Sequence, residues 1–213
     1  MEQVILGDCL EVMKGMADKS FDLVLTDPPY GIGAANGIGG GSNRGFVKRF
    51  EGDWDDSIPS REYFDEIFRV SKDQVIFGGN YMTEFLPARS SWFIWDKREG
   101  LPERTFADCE MAWVSDGKPA RIFRHKWDGM IQEDMGNKEQ KFHPTMKPIE
   151  LMRWCLSRFP EAQTILDPFA GSGTTGVAAR YLGRSFTLIE KEPKYVDIIK
   201  SRLSQESLFP ITS

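Results

Sequence analysis

Thr164-Ile165-Leu166-Asp167-Pro168-Phe169-Ala170-Gly171-Ser172-Gly173-Thr174-Thr175 reads as an apolar strand that ends on an aspartate, turns through two glycines and opens a helix. Open α/β sheets bind their ligands at such carboxyl ends, where a helix start offers free N–H groups and glycine lets a ligand approach the backbone. No lysine follows in the spacing of a triphosphate-gripping loop, so this is not a P-loop. Glu190 ends the next apolar run, Ser185-Phe186-Thr187-Leu188-Ile189-Glu190, 23 positions beyond Asp167. A carboxylate there can accept hydrogen bonds from both hydroxyls of a ribose. The turn therefore suits a nucleoside cofactor. Gly171 to Gly176 also spell G-x-G-x-x-G, which keeps a nucleotide-binding oxidoreductase open as a reading from another class.

A second run has the same build: Phe21-Asp22-Leu23-Val24-Leu25-Thr26-Asp27-Pro28-Pro29-Tyr30-Gly31. Pro28 pushes Asp27 into an extended conformation, and neither proline has an N–H to compete for the Asp27 carboxylate. The wall presents acceptors only, the Asp27 carboxylate and the Pro28 carbonyl. Such a wall suits a flat ring with an amino group, whose nitrogen becomes nucleophilic when both its hydrogens are held. Tyr30 offers a face for stacking, a contact worth roughly 1–3 kcal/mol per base. A base must leave the duplex for this, since its amino nitrogen cannot be reached inside the stack. With an intrinsic pKa of about 4, Asp27 stabilises positive charge rather than removing the proton before attack. The plain alternative for Asp-Pro-Pro-Tyr is a β-turn. Asp8 ends the first apolar run, Val4-Ile5-Leu6, and can accept from an adenine amino group while the Cys9 N–H donates to the ring; Asp8 is equally suited to cap a helix.

Outside these runs the pattern alternates strand and helix. Helical spacing places Phe64, Ile67 and Phe68 on one face after Pro59-Ser60, and Met152, Cys155, Leu156 and Phe159 on one face after Pro148. Strands are predicted at 74–77, 92–96, 111–114, 164–166 and 185–190, and a last helix from Pro193 faces Val196, Ile199 and Leu203 inward. This alternation predicts one α/β domain over 1–213 with a doubly wound, mostly parallel sheet. Residues 32–57, rich in glycine and charge, read as a long functional or disordered loop. Residues 115–142 carry no period and read as a small insertion.

The chain has 213 residues, 40% hydrophobic and 28% charged, with a net charge of −5. No apolar stretch approaches the ~20 residues that span a bilayer, and the N-terminus lacks a secretory pattern. Cys9, Cys109 and Cys155 are far apart, which predicts reduced thiols in a cytoplasm and no metal site. An acidic total argues mildly against a nucleic-acid partner, but two local runs are basic. Arg44, Lys48 and Arg49 form one; Arg121, Arg124 and Lys126, with His125, form the other. Either can contact phosphates or be a solvated loop.

Asp27-Pro28-Pro29-Tyr30, then His143-Pro144-Thr145-Met146-Lys147-Pro148, then Asp167-Pro168-Phe169-Ala170-Gly171-Ser172-Gly173 occur in an order that resembles the β group of amino-methylating DNA methyltransferases. The resemblance covers most of the chain apart from 32–57 and 115–142. It implies a Rossmann-like seven-stranded sheet with one antiparallel strand, S-adenosyl-L-methionine as cofactor and double-stranded DNA as partner. It further implies that Phe169, Gly171, Gly173 and Thr174 hold the cofactor together with Asp167, with Glu190 on its ribose and Asp8 and Cys9 on its adenine. Thr145 and Lys147 would lie near its methionine carboxylate, and Asp27 would serve both pockets. An acceptor motif that begins with Asp is usual for adenine N6, one that begins with Ser for cytosine N4. Methylation of cytosine N4, of RNA or of a protein glutamine remains an alternative with the same chemistry, and a non-catalytic DNA-binding module is a further one. The target-recognition segment, about 28 residues (115–142), is below the ~40 that fold unaided, so recognition is short or shared across a homodimer. No nuclease motif is visible.

Overall fold

Leu23 and Leu25 face one side of strand β2 (Phe21–Thr26) and Val24 the other, and all three are fully buried. The computed structural model describes residues 1–32, 57–102, 107–128, 131–142 and 146–206. The same two-sided burial recurs in β3 (Ser71–Phe77), β9 (Thr164–Asp167) and β10 (Ser185–Glu190). Strands buried on both faces read as continuous apolar runs, which is why these were recognisable. Helices α3 (Ile149–Ser157), α4 (Thr174–Tyr181) and α5 (Pro193–Glu206) cover one face of the sheet. Helices α1 (Cys9–Lys14) and α2 (Arg61–Val70) cover the other. The result is a doubly wound α/β sheet.

The remaining strands are β1 (Glu2–Leu6), β4 (Trp92–Asp96), β5 (Cys109–Val114) and β6 (Arg121–Arg124). The sheet runs β1-β10-β9-β2-β3-β5-β4-β6. β5 pairs antiparallel with both neighbours, whereas β4 and β6 pair parallel. Among the described residues β5 is the one antiparallel strand, in agreement with expectation. Among them the sheet has eight strands rather than seven, and the eighth is β6, inside the segment read as an insertion. Four residues show no period, and their place depends on pairing with β4, almost thirty residues upstream. Next to it β7 (Trp127–Asp128) and β8 (Ile131–Gln132) make a two-stranded ribbon. The Trp127 ring is buried in the core, and its Nε1–H donates to the Met146 carbonyl at 3.1 Å. That bond ties the ribbon to the segment entering α3. Pro148 stands one residue before α3, as its N-cap.

The chain leaves β2 for β3 on one side, and its later part returns as β9 on the other. The β2–β9 junction is therefore the point at which strand order reverses, the place where such sheets open a crevice. Val24 pairs with Leu166 across it.

Candidate active site

The two aspartate turns leave β2 and β9 side by side. Thr26 Oγ1 donates to Asp167 Oδ1 at 2.7 Å, so the strand that delivers Asp27 is pinned to the strand that precedes the glycine turn. A cavity of about 670 Å³ opens above the junction, lined by Asp8, Asp27, Tyr30, Lys147, Phe169, Gly171, Thr174 and Glu190 among others. Most of the expected cofactor and acceptor residues thus face one space.

On the β9 side, backbone N–H groups hold the carboxylates. Glu190 Oε2 accepts from Gly171 N at 2.8 Å and Oε1 from Glu192 N at 2.9 Å. A carboxylate has about four acceptor positions, so two remain for a ligand's hydroxyls. Burial pushes the Glu190 carboxyl up from its ordinary value, and the N–H groups of Glu192 and Gly171 oppose that. Asp8 caps α1 through Leu10 N at 2.8 Å and also accepts from Tyr63 OH at 3.0 Å. The capping role is real, and Asp8 still lines the cavity beside Cys9.

Asp167 lines the floor, but its oxygens are spoken for: Thr26 Oγ1 and Phe169 N bond to Oδ1, and Thr175 Oγ1 to Oδ2 at 2.6 Å. Burial pushes its carboxyl up to about 6 despite these donors. It acts as a latch between strands, in addition to fronting the cavity.

The two glycines of the turn differ. Gly171 has φ +52°, and a Cβ there would meet nothing within 4 Å, so its face is a cradle that a side chain would fill. Gly173 has φ +80°, but a Cβ there would lie 2.9 Å from Ile199 Cγ1. It does not line the cavity. Sequence reasoning gave both glycines to the cofactor; in the fold Gly173 serves the close packing of α5 on the turn, a contact between parts 26 residues apart that no local pattern announces.

On the β2 side, side chains do the holding. Lys147, expected near a methionine carboxylate, lines the cavity; it is buried rather than exposed before α3, with its Nζ 2.5 Å from Asp27 Oδ2. Tyr30 OH donates to Asp27 Oδ1 at 2.5 Å. The Tyr30 ring stacks on Tyr81, centroids 5.2 Å apart, so one of its faces is covered and only the remainder is left for a base. Gly78 packs against the same ring, where a Cβ would come within 2.1 Å of Tyr30 Cε1. Lys147 also forms an ion pair with Glu110 Oε2 at 3.1 Å, and Glu110 Oε1 accepts from Lys97 Nζ at 2.9 Å. Burial raises the Asp27 carboxyl and the Lys147 charge opposes it, with a net shift upward. Burial likewise disfavours the Glu110 carboxylate, but Lys147 and Lys97 outweigh it and bring its pKa down to about 2.

Glu110 and Tyr63 escaped sequence reasoning. Glu110 carried one signal, an acid inside the apolar run of β5; Tyr63 carried none, lying beside the apolar face of α2. Thr145, His143 and Pro144, like Arg44, Lys48 and Arg49, lie outside the described residues. Arg121 and Arg124 sit on the edge strand β6, and neither they nor Lys126 line the cavity. Arg124 is balanced by Glu99 at 3.1 Å and Asp96 at 3.8 Å. Among the described residues no group of three or more His, Cys, Asp or Glu could hold a metal ion, and no helix is long and apolar enough to cross a membrane.

A doubly wound sheet with a carboxylate-lined crevice at its reversal point, entered by an Asp-Pro-Pro-Tyr turn, is the architecture of a transferase that uses a nucleoside cofactor and fits an amino nitrogen as acceptor. The chain belongs to the N6/N4 DNA methylase family, whose model matches residues 90–201. It is a DNA methyltransferase, and its cofactor is S-adenosyl-L-methionine. It is similar to the type II methyltransferase M.HpaI of Haemophilus parainfluenzae, with 27% identity over 244 residues, 96% of this chain and 75% of that protein. Its fold matches the M1.HpyAVI–SAM complex, with TM-score 0.59, 23% identity and coverage of 95% and 100% of the two chains. It also matches the PvuII DNA methyltransferase (cytosine-N4-specific), with TM-score 0.58, 17% identity and coverage of 98% and 90%. The open cradle at Gly171 between Phe169 and the Glu190 carboxylate fits a nucleoside.

Proposed function

We propose that this DNA methyltransferase modifies the N6 amino group of an adenine turned out of the duplex. One observation carries the reading: the Asp27 carboxylate fronts the same cavity as Gly171, Glu190 and Asp8. An acceptor motif that begins with Asp, rather than Ser, favours adenine over cytosine. Bound S-adenosyl-L-methionine supplies a methyl group made electrophilic by its positively charged sulfur. Glu190 accepts from the ribose hydroxyls, Asp8 from the adenine amino group beside the Cys9 N–H, and Gly171, Phe169 and Thr174 form the cradle.

The target amine is a poor nucleophile while its lone pair is delocalised into the ring. Asp27 and the Pro28 carbonyl each accept one of its hydrogens and draw the nitrogen towards tetrahedral geometry. These acceptors are fixed before the base arrives, so the fold has already met the cost of orienting them. As the nitrogen gains positive charge, the Asp27 carboxylate stabilises it and then takes the released proton. The carboxyl's upward shift makes it a better acceptor than a solvated aspartate. Arg121 and Lys126, outside the cavity, contact phosphates of the flanking duplex.

The test is methyl transfer from tritium-labelled cofactor to unmethylated DNA, followed by digestion to nucleosides. The label is expected in N6-methyladenine. Label in N4-methylcytosine would overturn the adenine assignment while leaving the amino-methylating chemistry in place.

A further inference from the structure

Lys97, Glu110, Lys147 and Asp27 form a row of alternating charge that begins just past the end of β4, crosses β5 and ends at the acceptor turn after β2. Lys147 is the shared member. Its ammonium is 2.5 Å from Asp27 Oδ2 and 3.1 Å from Glu110 Oε2, and it is buried. The two contacts are unequal. Glu110 Oε2 is a buried atom with no aligned hydrogen bond among the described residues, so its hold on Lys147 is that of charge at close range. The hydrogens of Lys147 serve Asp27 and, at 3.4 Å, Tyr30 OH.

We propose that Glu110 is a positioning residue for methyl transfer: it shares the Lys147 ammonium with Asp27 and so limits how completely that cation neutralises the acceptor carboxylate. This deepens the proposed function and rests on Asp27 as the acceptor. A base amine needs an ionised Asp27 that still has acceptor capacity. Without Lys147, burial would favour the neutral acid, which holds fewer lone pairs for the amine. Without Glu110, the full ammonium charge would fall on Asp27, and its grip would compete with the incoming hydrogen. Each partner corrects the excess of the other.

The groups that face Asp27 are Lys147 from the segment before α3, Glu110 from β5, Tyr30 from its own turn and Asp167 from β9, with Lys97, the residue after β4, behind Glu110. Of these, Lys147 and Glu110 act on Asp27 with opposite sign. Their removal should move the acid limb of the methylation rate in opposite directions, which a purely structural role would not do.

The experiment measures the single-turnover rate against pH on unmethylated plasmid DNA for the wild type, Lys147→Met, Lys147→Arg and Glu110→Gln. Lys147→Met should move the acid limb to higher pH by about one pH unit or more, the size expected when an aspartate loses an adjacent cation. Lys147→Arg should hold it near the wild-type position. Glu110→Gln should move it to lower pH and lower the plateau rate. A limb that stays put or moves upward in Glu110→Gln overturns the proposal. Should Lys147→Met fail to fold, carbon-13 NMR titration of the Asp27 carboxyl in Glu110→Gln decides by itself: a downward shift is expected, and no shift or an upward one overturns it. Asp27→Ala, which removes both acceptor oxygens, separates the two readings. If it retains activity the acceptor assignment fails; if it is inactive and the limbs do not move, only the Glu110 inference fails.

Discussion

Glu190 is held by the backbone N–H groups of Gly171 and Glu192, and Asp8 by that of Leu10 with the Tyr63 hydroxyl in addition. Asp27 is held by an ammonium 120 positions away and by its neighbour's phenol. Backbone donors keep a carboxylate in place while leaving its charge intact and its outer lone pairs open, which suits a site that must grip a ligand's hydroxyls. A cation does more: it sets whether the buried group is ionised. The half of the cavity suited to the cofactor is therefore built for binding, and the half suited to the base is built for charge. A buried ion pair is costly to break because the surviving partner is stranded, so the charge-built half should respond far more steeply to substitution.

The largest expected effect breaks that half alone. Asp27→Ala should lower methyl transfer at least about 10³-fold, comparable to losing a principal transition-state hydrogen-bonding group. Cofactor affinity by calorimetry should stay within about threefold. Full activity would contradict the acceptor role, and lost cofactor binding would show that the halves are not separable.

Asp167 lies on the seam, and its effect is on stability. Its folded pKa of about 6 is above the unfolded value of about 3.9, so the folded chain binds this proton more tightly. The resulting stabilisation is fully present below about pH 4 and is lost as pH rises through about 6. Asp167→Asn has no such group. Urea unfolding should show the wild type losing about 3 kcal/mol relative to the variant between those limits. A pH-independent gap would mean that Asp167 has the same pKa in the folded and unfolded chain.

The two glycines sharpen the binding half. Gly171→Val places a side chain in the open cradle at a positive φ and should weaken cofactor binding by roughly 10- to 100-fold, about 1.4–2.7 kcal/mol. Gly173→Val meets Ile199, so its first expression should be a lower melting temperature. Equal effects of both on affinity with neither on melting would deny the division. The smallest change is expected at Glu190→Gln, which keeps one acceptor oxygen and should cost about tenfold in cofactor affinity.

Local pattern made much of this legible. The apolar runs ending at Asp27, Asp167 and Glu190, the helical stripes of α2 and α3, and the Gly171 turn are written in consecutive residues, because strands buried on both faces and helices buried on one must repeat. The two aspartate turns also proved to open on one cavity. β6 was not legible, since Arg121–Arg124 has no meaning as a strand until β4 is beside it.

The amino-acid sequence by itself determined the class of sheet and the two aspartate turns that open on one cavity, because prolines, glycines and apolar periods act on their own neighbours. Only the tertiary structure decided that Lys147 turns to Asp27, that Glu110 claims part of it, and that Gly173 serves packing rather than the cavity. Those outcomes depend on charges and surfaces that meet across separate strands, where Coulombic attraction and steric fit act through space and leave no mark on the order of residues.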